Sequence, residues 1–162
     1  MRIAEYELLI AQAHALLDGE RDAIANAANL AALVFSEVPE LNWAGFYFVR
    51  DGQLVLGPFQ GKPACVRIAF GAGVCGSAWA QRRTLVVDDV HAFPGHIACD
   101  AASNAEIVVP LIRPDGSVVG VLDIDSPRRA RFAEAERQLF ETLAALYLAA
   151  SDSCRGAQDR GR

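Results

Sequence analysis

The sequence lacks an apolar run long enough to cross a membrane, since none reaches the roughly 18 residues that a transmembrane helix requires. Glu5 and Glu7 stand where a secretory signal peptide would carry apolar residues. An excess of positive charge is also missing, because the net charge is −5 and the basic residues are scattered. We therefore expect a cytoplasmic protein with no membrane or nucleic-acid partner, for which a small cationic or zwitterionic ligand is better suited.

Cysteine is scarce, and its spacing does not predict a structural framework. Cys65, Cys75 and Cys99 are separated by 10 and 24 positions, whereas structural zinc sites usually have ligand pairs about two to four residues apart. The cytosol keeps thiols reduced, so that a disulfide here is expected to be transient. Buried apolar filler is the alternative interpretation of these three cysteines. Cys154 lies beyond the last helical stripe, and we expect no functional role for it.

A zinc site is the competing specific interpretation. It would recruit His91, His96 and Asp100, which lie close to Cys99 in the sequence. Because the cysteines lack the short ligand spacing of structural zinc sites, the pattern gives this interpretation little support.

Helical periodicity occurs at both ends of the chain. Apolar residues recur at helical spacing from Tyr6 to Leu17 and from Ala23 to Val38, with a break near Asp18 and Gly19. The last periodic stretch, FAEAERQLFETLAALYLAAS, predicts a closing helix. Its apolar stripe consists of Leu139, Leu143, Leu146, Tyr147 and Ala150.

Strand-like sequence fills the middle of the chain. NWAGFYFVRDGQLVLGPF predicts a β-hairpin that turns at Asp51-Gly52, and AEIVVPLI and SVVGVLDID predict a second hairpin about Arg113 to Gly116. Residues 64–72 predict a further strand, GSAWAQRR after Gly76 a short helix, and TLVVDD another strand. These elements favour the α+β class, in which an antiparallel sheet rests one face on the N- and C-terminal helices.

We expect a single domain over residues 1–155 and a disordered tail over 156–162. The second face of the sheet is then free for a pocket covered by the irregular segments 57–76 and 88–104. The cysteines Cys65, Cys75 and Cys99 lie in or beside these segments.

Acidic residues form a second candidate constellation. Asp123 and Asp125 are two residues apart on a predicted strand, so that their side chains project from the same face. Glu106 begins the hairpin partner of that strand and can join them. A solvent-facing acidic edge would explain two aspartates alone, but three acids near the cysteine segments favour a site.

Aromatic residues form a third. Trp43 and Tyr47 are four positions apart and share one face of their strand. Aromatic residues in a strand are most often core, but with a pocket on that face they would line it.

Four stretches resemble the free methionine-R-sulfoxide reductases, which are built on a GAF domain. They are LNWAGFYF, the pair GKPACVRIAFGAGVCGSAW and HIACDAASNAEIVVPL, and GVLDIDSP followed by RF, and the resemblance runs from about residue 40 to residue 132. It implies reduction of free methionine-R-sulfoxide, a thioredoxin-like or other thiol reductant, no metal or organic cofactor, and compatibility with a homodimer.

The resemblance also implies roles for individual residues. Cys99 matches the cysteine that attacks the sulfoxide, Cys65 the main resolving cysteine, and Cys75 a third that can take part in thiol exchange. Trp43 and Tyr47 match aromatic residues around the substrate side chain. The positions that match acids that bind or protonate the substrate are Glu106, Asp123 and Asp125.

Thiol chemistry sets a requirement for this assignment. Carboxylates beside a cysteine raise the thiol pKa and oppose nucleophilic attack, so that the acids need a cation, and the ammonium of a free amino acid supplies one. A GAF-type ligand-binding or redox-sensing module without catalysis is the alternative function. Such sensors usually signal to an attached output domain, for which we expect no room here.

Overall fold

The periodic and strand-like stretches correspond to four helices and six strands in the computed structural model, which describes residues 2–97 and 100–152. A short 3₁₀ turn at Val90–Ala92 is the remaining element. The helices and strands in chain order are α1 (Ile3–Leu17), α2 (Ala23–Glu37), β1 (Trp43–Arg50), β2 (Gln53–Gly61), β3 (Arg67–Ala69), α3 (Gly73–Gln81), β4 (Leu85–Val87), β5 (Ala105–Ile112), β6 (Val118–Ser126) and α4 (Glu134–Ala150).

The strands form one antiparallel sheet in the order β3-β2-β1-β6-β5-β4. The predicted hairpin between β1 and β2 turns at Asp51 and Gly52, whose φ angles of 51° and 75° are those of a tight hairpin turn. The second predicted hairpin closes between β5 and β6, where the Arg113 N–H donates to the Ser117 carbonyl. Both hairpin predictions are confirmed.

Helices α1, α2 and α4 cover one face of the sheet, as the terminal periodicity predicts. Asp22 caps α2 by accepting hydrogen bonds from the backbone N–H groups of Ile24 and Ala25 at 3.0 and 2.8 Å. The larger core lies between these helices and the sheet face that they cover. The strand residues of this core include Phe46, Phe48, Ile107, Leu122 and Ile124. The predicted α+β class, with the terminal helices packed on one face of an antiparallel sheet, is therefore confirmed.

The opposite face of the sheet holds a smaller core under α3. Trp43, Tyr47, Val108 and Val121 from the strands pack there with α3 residues that include Cys75. No helix in the described ranges is long and apolar enough to cross a bilayer. Met1, residues 98–99 and residues 153–162, which include the predicted tail, lie outside the described residues.

Two boundaries differ from the sequence prediction. The strand expected over 64–72 is limited to Arg67–Ala69, because a turn in which the Ala72 N–H donates to the Ala69 carbonyl ends it. The helix expected after Gly76 begins three residues earlier, at Gly73. As a result, Cys75 lies in the first turn of a helix and not in a loop.

Gly120 lets β6 approach β1 beside Tyr47, and this contact predicts a specific cost of adding a methyl group. In Gly120→Ala the new Cβ would overlap the Tyr47 carbonyl oxygen and lie 3.1 Å from the Phe48 Cα. Because this clash involves backbone atoms, we expect the free energy of unfolding to fall by about 3 kcal/mol in denaturant titrations.

Gly71→Ala is the matched control, since its φ is +78° but no atom lies within 4 Å of the added Cβ. We expect only the left-handed backbone strain there, about 1 kcal/mol. Equal losses in the two variants would contradict the close approach at Gly120.

Candidate active site

Strand register assembles the acidic residues into one group. Asp125 on β6 lies opposite Trp43 on β1 and opposite Glu106 on β5, so that the three side chains form a row across the sheet. Asp123 is two residues before Asp125 and projects from the same face, beside Gly45. The predicted convergence of the three acids on one face is confirmed.

These acids line a pocket rather than a solvent-facing edge. Glu106 is 7% exposed and Asp123 is 6% exposed, and both line the same pocket as Asp125, Trp43 and Tyr47. None of the ion pairs formed within the described residues includes one of the three acids. The pocket therefore holds three acids that, among the described residues, form no ion pair with a basic side chain, although Lys62 also lines it.

Burial governs the protonation of the three acids. It raises the pKa of Asp123 to about 6, against hydrogen bonds from Glu106 and Cys75 that lower it. Burial also raises the pKa of Glu106 well above its usual range, and the charges of Asp123 and Asp125 raise it further. The pKa of Asp125 is raised by burial and by the neighbouring Asp123. Burial and the neighbouring negative charges disfavour the ionised form, so that the three acids together retain protons near neutral pH.

Trp43 and Tyr47 form one wall of the pocket. Their rings stack with centroids 5.9 Å apart, and Phe59 stacks on the other side of Trp43 at 5.2 Å. The Trp43 indole N–H donates to the Lys62 carbonyl at 3.1 Å, which holds the ring in place. Phe46 packs on the helix-covered face, as strand alternation predicts. The two aromatic residues are thus both buried and directed at the acids.

Cys65 and Cys75 are in different chemical states. Cys65 is disulfide-bonded, and Cys75 is a free, buried thiol. The Tyr47 hydroxyl donates to the Cys65 carbonyl at 3.0 Å, and so connects the aromatic wall to the backbone of this cysteine. Cys99, the predicted nucleophile, and Cys154 lie outside the described residues.

Cys75 reaches the acids from the first turn of α3. Its thiol donates to Glu106 Oε1 at 3.8 Å, and the residue is 4% exposed. The absence of a side chain at Gly76 lets this turn of α3 pack closely against the backbone of β3, since a Cβ at Gly76 would lie 2.5 Å from the Ala69 carbonyl oxygen. Burial raises the pKa of the Cys75 thiol well above its usual value, and the charges of Asp123 and Glu106 raise it further. Cys75 is therefore a protonated, weakly nucleophilic thiol while the acids lack a cation.

Asn42 anchors the segment that follows Cys99, a function that sequence patterns did not indicate. Its side-chain N–H₂ group donates to Asp100 Oδ2 at 3.0 Å and to Ser103 Oγ at 2.9 Å. Asp100 also accepts from the Ala102 N–H at 2.8 Å. Asp100, Ser103 and Lys62 line the pocket as well. In the sequence, only the position of these three residues within the predicted covering segments 57–76 and 88–104 suggested that they line the pocket.

The residues of the alternative zinc site have other partners. His91 Nε2 lies 3.0 Å from Asn104 Oδ1, and the ring centroids of His91 and His96 are 6.3 Å apart. Asp100 is engaged by Asn42. Within residues 2–97 and 100–152, the group with metal-binding geometry is instead Cys75 with Glu106 and Asp123.

The raised pKa values predict that the acids destabilise the fold as the pH rises. The Asp123 pKa of about 6 exceeds the 3.8 of an exposed aspartate, so that the folded state holds the extra proton between these values. The contribution of Asp123 to stability is then most favourable below about pH 4 and is lost as the pH rises through 6. We expect Asp123→Asn to raise the free energy of unfolding by about 2 to 3 kcal/mol at about pH 8 and to change it little at about pH 4.

Denaturant titrations at both pH values measure this difference. Asp51→Asn, in the exposed turn between β1 and β2, is the control and should follow the wild type at both. A difference between Asp123→Asn and wild type that does not grow with pH would contradict the assignment.

Comparison with known proteins places this pocket in a family. The model of the GAF domain matches residues 25–150. Protein YtsP of Bacillus subtilis is 59% identical over 145 residues, covering 86% of this chain and 88% of the relative. The free methionine-R-sulfoxide reductase of Escherichia coli is 52% identical over 132 residues, covering 82% and 79%.

A solved structure agrees with both. The free methionine-R-sulfoxide reductase of Neisseria meningitidis, in complex with its substrate, superposes with a TM-score of 0.87 at 44% identity, over 91% of this chain and 89% of that one. The family match, the sequence identities and the fold agree along most of the chain. The chain belongs to the free methionine-R-sulfoxide reductases of the GAF-domain family.

Proposed function

We propose that this protein reduces free L-methionine-R-sulfoxide to L-methionine. The observation that carries the proposal is the group of three acids, two of them buried and Asp125 partly buried, which faces two stacked aromatic rings and has no basic partner within the described residues. A free amino acid brings the missing cation as its ammonium group and an apolar side chain for the aromatic wall. The names of relatives at 52% and 44% identity support the same substrate.

Asp123 and Asp125 bind the ammonium group in this proposal. They are adjacent on one face of β6, and their burial makes a charge-assisted contact stronger than it would be in water. Ammonium binding lowers the proton affinity of these carboxyls, because a positive charge beside them favours their ionised form. Substrate binding and carboxylate ionisation are thereby coupled.

Glu106 is the proposed proton donor. Its pKa is raised by burial and by both aspartates, so that it stays protonated at neutral pH and can donate to the sulfoxide oxygen. Protonation of that oxygen makes the sulfoxide sulfur more electrophilic and so favours attack by a thiolate. The same acid–aspartate arrangement thus supplies both recognition and the proton.

Cys99 is the proposed nucleophile and Cys65 the resolving thiol. The Cys99 thiolate attacks the sulfoxide sulfur and forms a bond to it. The oxygen, protonated by Glu106, then passes to the Cys99 sulfur as that bond and the original sulfur–oxygen bond break, so that methionine leaves as the thioether and Cys99 becomes a sulfenic acid. The Cys65 thiol then attacks the Cys99 sulfur, which forms the disulfide and releases water. The disulfide-bonded state of Cys65 supports a resolving role for this residue. Cys75 can exchange with this disulfide in a subsequent step.

The remaining elements of the proposal concern the environment of the reaction. A thioredoxin-like dithiol or another thiol reduces the disulfide and completes the cycle, with no metal or organic cofactor. Reducing conditions of this kind are those of the cytoplasm. A homodimer is the proposed assembly.

Activity on the free amino acid tests the proposal directly. Purified wild-type protein with free methionine-R-sulfoxide and a thiol reductant should form one methionine for each sulfoxide consumed, as measured by chromatography. Cys99→Ser should form none, and Cys154→Ser should retain wild-type turnover. Binding of the sulfoxide without product in the wild type would instead identify a sensing module.

Discrimination against peptidyl substrate tests the acid clamp. N-acetyl-methionine-R-sulfoxide has an amide in place of the ammonium and leaves the buried acids unpaired, so that wild-type protein should turn it over poorly. Asp125→Asn should lower kcat/KM for the free substrate by about 100-fold, the cost of losing a buried charged partner. The exposed control Asp51→Asn should leave kcat/KM unchanged. Unaltered kinetics in Asp125→Asn would remove the clamp.

A further inference from the structure

The pocket brings one thiol and two carboxyl groups into the arrangement of a metal site. Cys75 Sγ and one carboxylate oxygen each from Glu106 and Asp123 lie within 4.8 Å of one another. All three residues are at least nine-tenths buried. We propose that Cys75, Glu106 and Asp123 bind a soft divalent cation, best fitted by Zn²⁺, which acts as a reversible inhibitor and not as a cofactor.

The donor spacing is close to that of tetrahedral zinc. Bond lengths of about 2.3 Å to sulfur and about 2.1 Å to oxygen place neighbouring sulfur and oxygen ligands about 3.6 Å apart. Cys75 Sγ lies 3.8 Å from Glu106 Oε1. Since all three donor atoms lie within 4.8 Å of one another, side-chain rotations that draw them closer would surround one ion, and water or a substrate atom can take the fourth position.

Asp123 provides a second and independent indication of a bound cation. Its Oδ1 atom is buried and has no hydrogen-bond partner, although the side chain lines the pocket. A buried carboxylate oxygen without a partner costs free energy, which a directly bound cation removes. This observation concerns the Asp123 carboxylate alone and does not depend on Cys75 or on the distances between the three donors.

The donor set favours zinc over the hard cations. Mg²⁺ and Ca²⁺ prefer oxygen ligands and water, whereas a thiolate with two carboxylates suits Zn²⁺ or Co²⁺. Binding forms a metal–sulfur bond and releases the thiol proton to solvent, with no change of oxidation state. Cys65 is not a ligand, so that the three donors remain available while Cys65 is disulfide-bonded.

A cation at this site would compete with the substrate. It would occupy Glu106 and Asp123, the acids assigned above to the sulfoxide and the ammonium. This consequence rests on the proposed function, but the binding of the metal does not. Zinc released from other proteins by thiol oxidation would then inhibit the enzyme until the zinc is chelated again.

Cobalt titration tests the site without any measurement of turnover. Co²⁺ is added to chelator-treated protein, without reductant, and the thiolate-to-cobalt charge-transfer absorption is followed in the near ultraviolet. We expect one equivalent to bind and Zn²⁺ to displace it. Cys75→Ser should lose the absorption, and the matched control Cys154→Ser should keep it. Circular dichroism verifies that both variants are folded.

A carboxylate variant provides the second arm. Asp123→Asn should weaken cobalt binding by more than about tenfold, since even the loss of an outer-shell partner costs that much. Asp51→Asn should bind like the wild type. Absence of binding in the wild type, or a charge-transfer band that survives Cys75→Ser, would overturn the site.

The two proposals fail separately. Protein that binds cobalt through Cys75 but produces no methionine would keep the metal site and refute the proposed function. Protein that produces methionine but shows no Cys75-dependent absorption would support the proposed function and refute the metal site. Displacement of bound Co²⁺ by added free methionine-R-sulfoxide would support both proposals.

Discussion

The chemistry of the pocket depends on three neighbouring carboxyl groups, two of them buried and Asp125 partly buried, that have no basic partner among the described residues. Ionised carboxylates are strongly disfavoured in such surroundings, and the fold tolerates them because protonation can relieve the charge. The raised pKa values of Glu106, Asp123 and Asp125 record that constraint. A cation that enters the pocket would relieve the same cost, and on this basis we propose that the pocket favours cationic ligands.

The sheet provides the rigidity that this arrangement requires. Asp125 and Glu106 are paired residues on β6 and β5, and Trp43 is the next residue along the row on β1. Their side chains therefore cannot separate without loss of strand pairing. The helices on the opposite face bury a large apolar core, whose stability offsets the cost of the acids. One face of the sheet thus contributes the stable core, and the other face carries the energetically unfavourable site.

The same electrostatics links the thiols to the ligand. Acids without a cation keep Cys75 protonated, since burial and neighbouring charge both raise its pKa. An ammonium group would reverse the second effect, so that substrate binding itself promotes thiol reactivity near the pocket. A metal ion exploits the identical feature by replacing the thiol proton. A pocket that binds the ammonium group of the substrate through these acids is therefore also open to inhibition by a metal ion.

The sequence by itself determined the α+β class, both hairpins and the common face of Asp123 and Asp125, because periodicity and turn chemistry are local properties. Register between distant strands, the helical placement of Cys75 and the anchoring of Asp100 by Asn42 were decided only by the tertiary structure. These features depend on contacts between residues far apart in the chain, as with Glu106 and Asp125. Burial, which sets their protonation, likewise has no local signal, since it arises only when both faces of the sheet are covered.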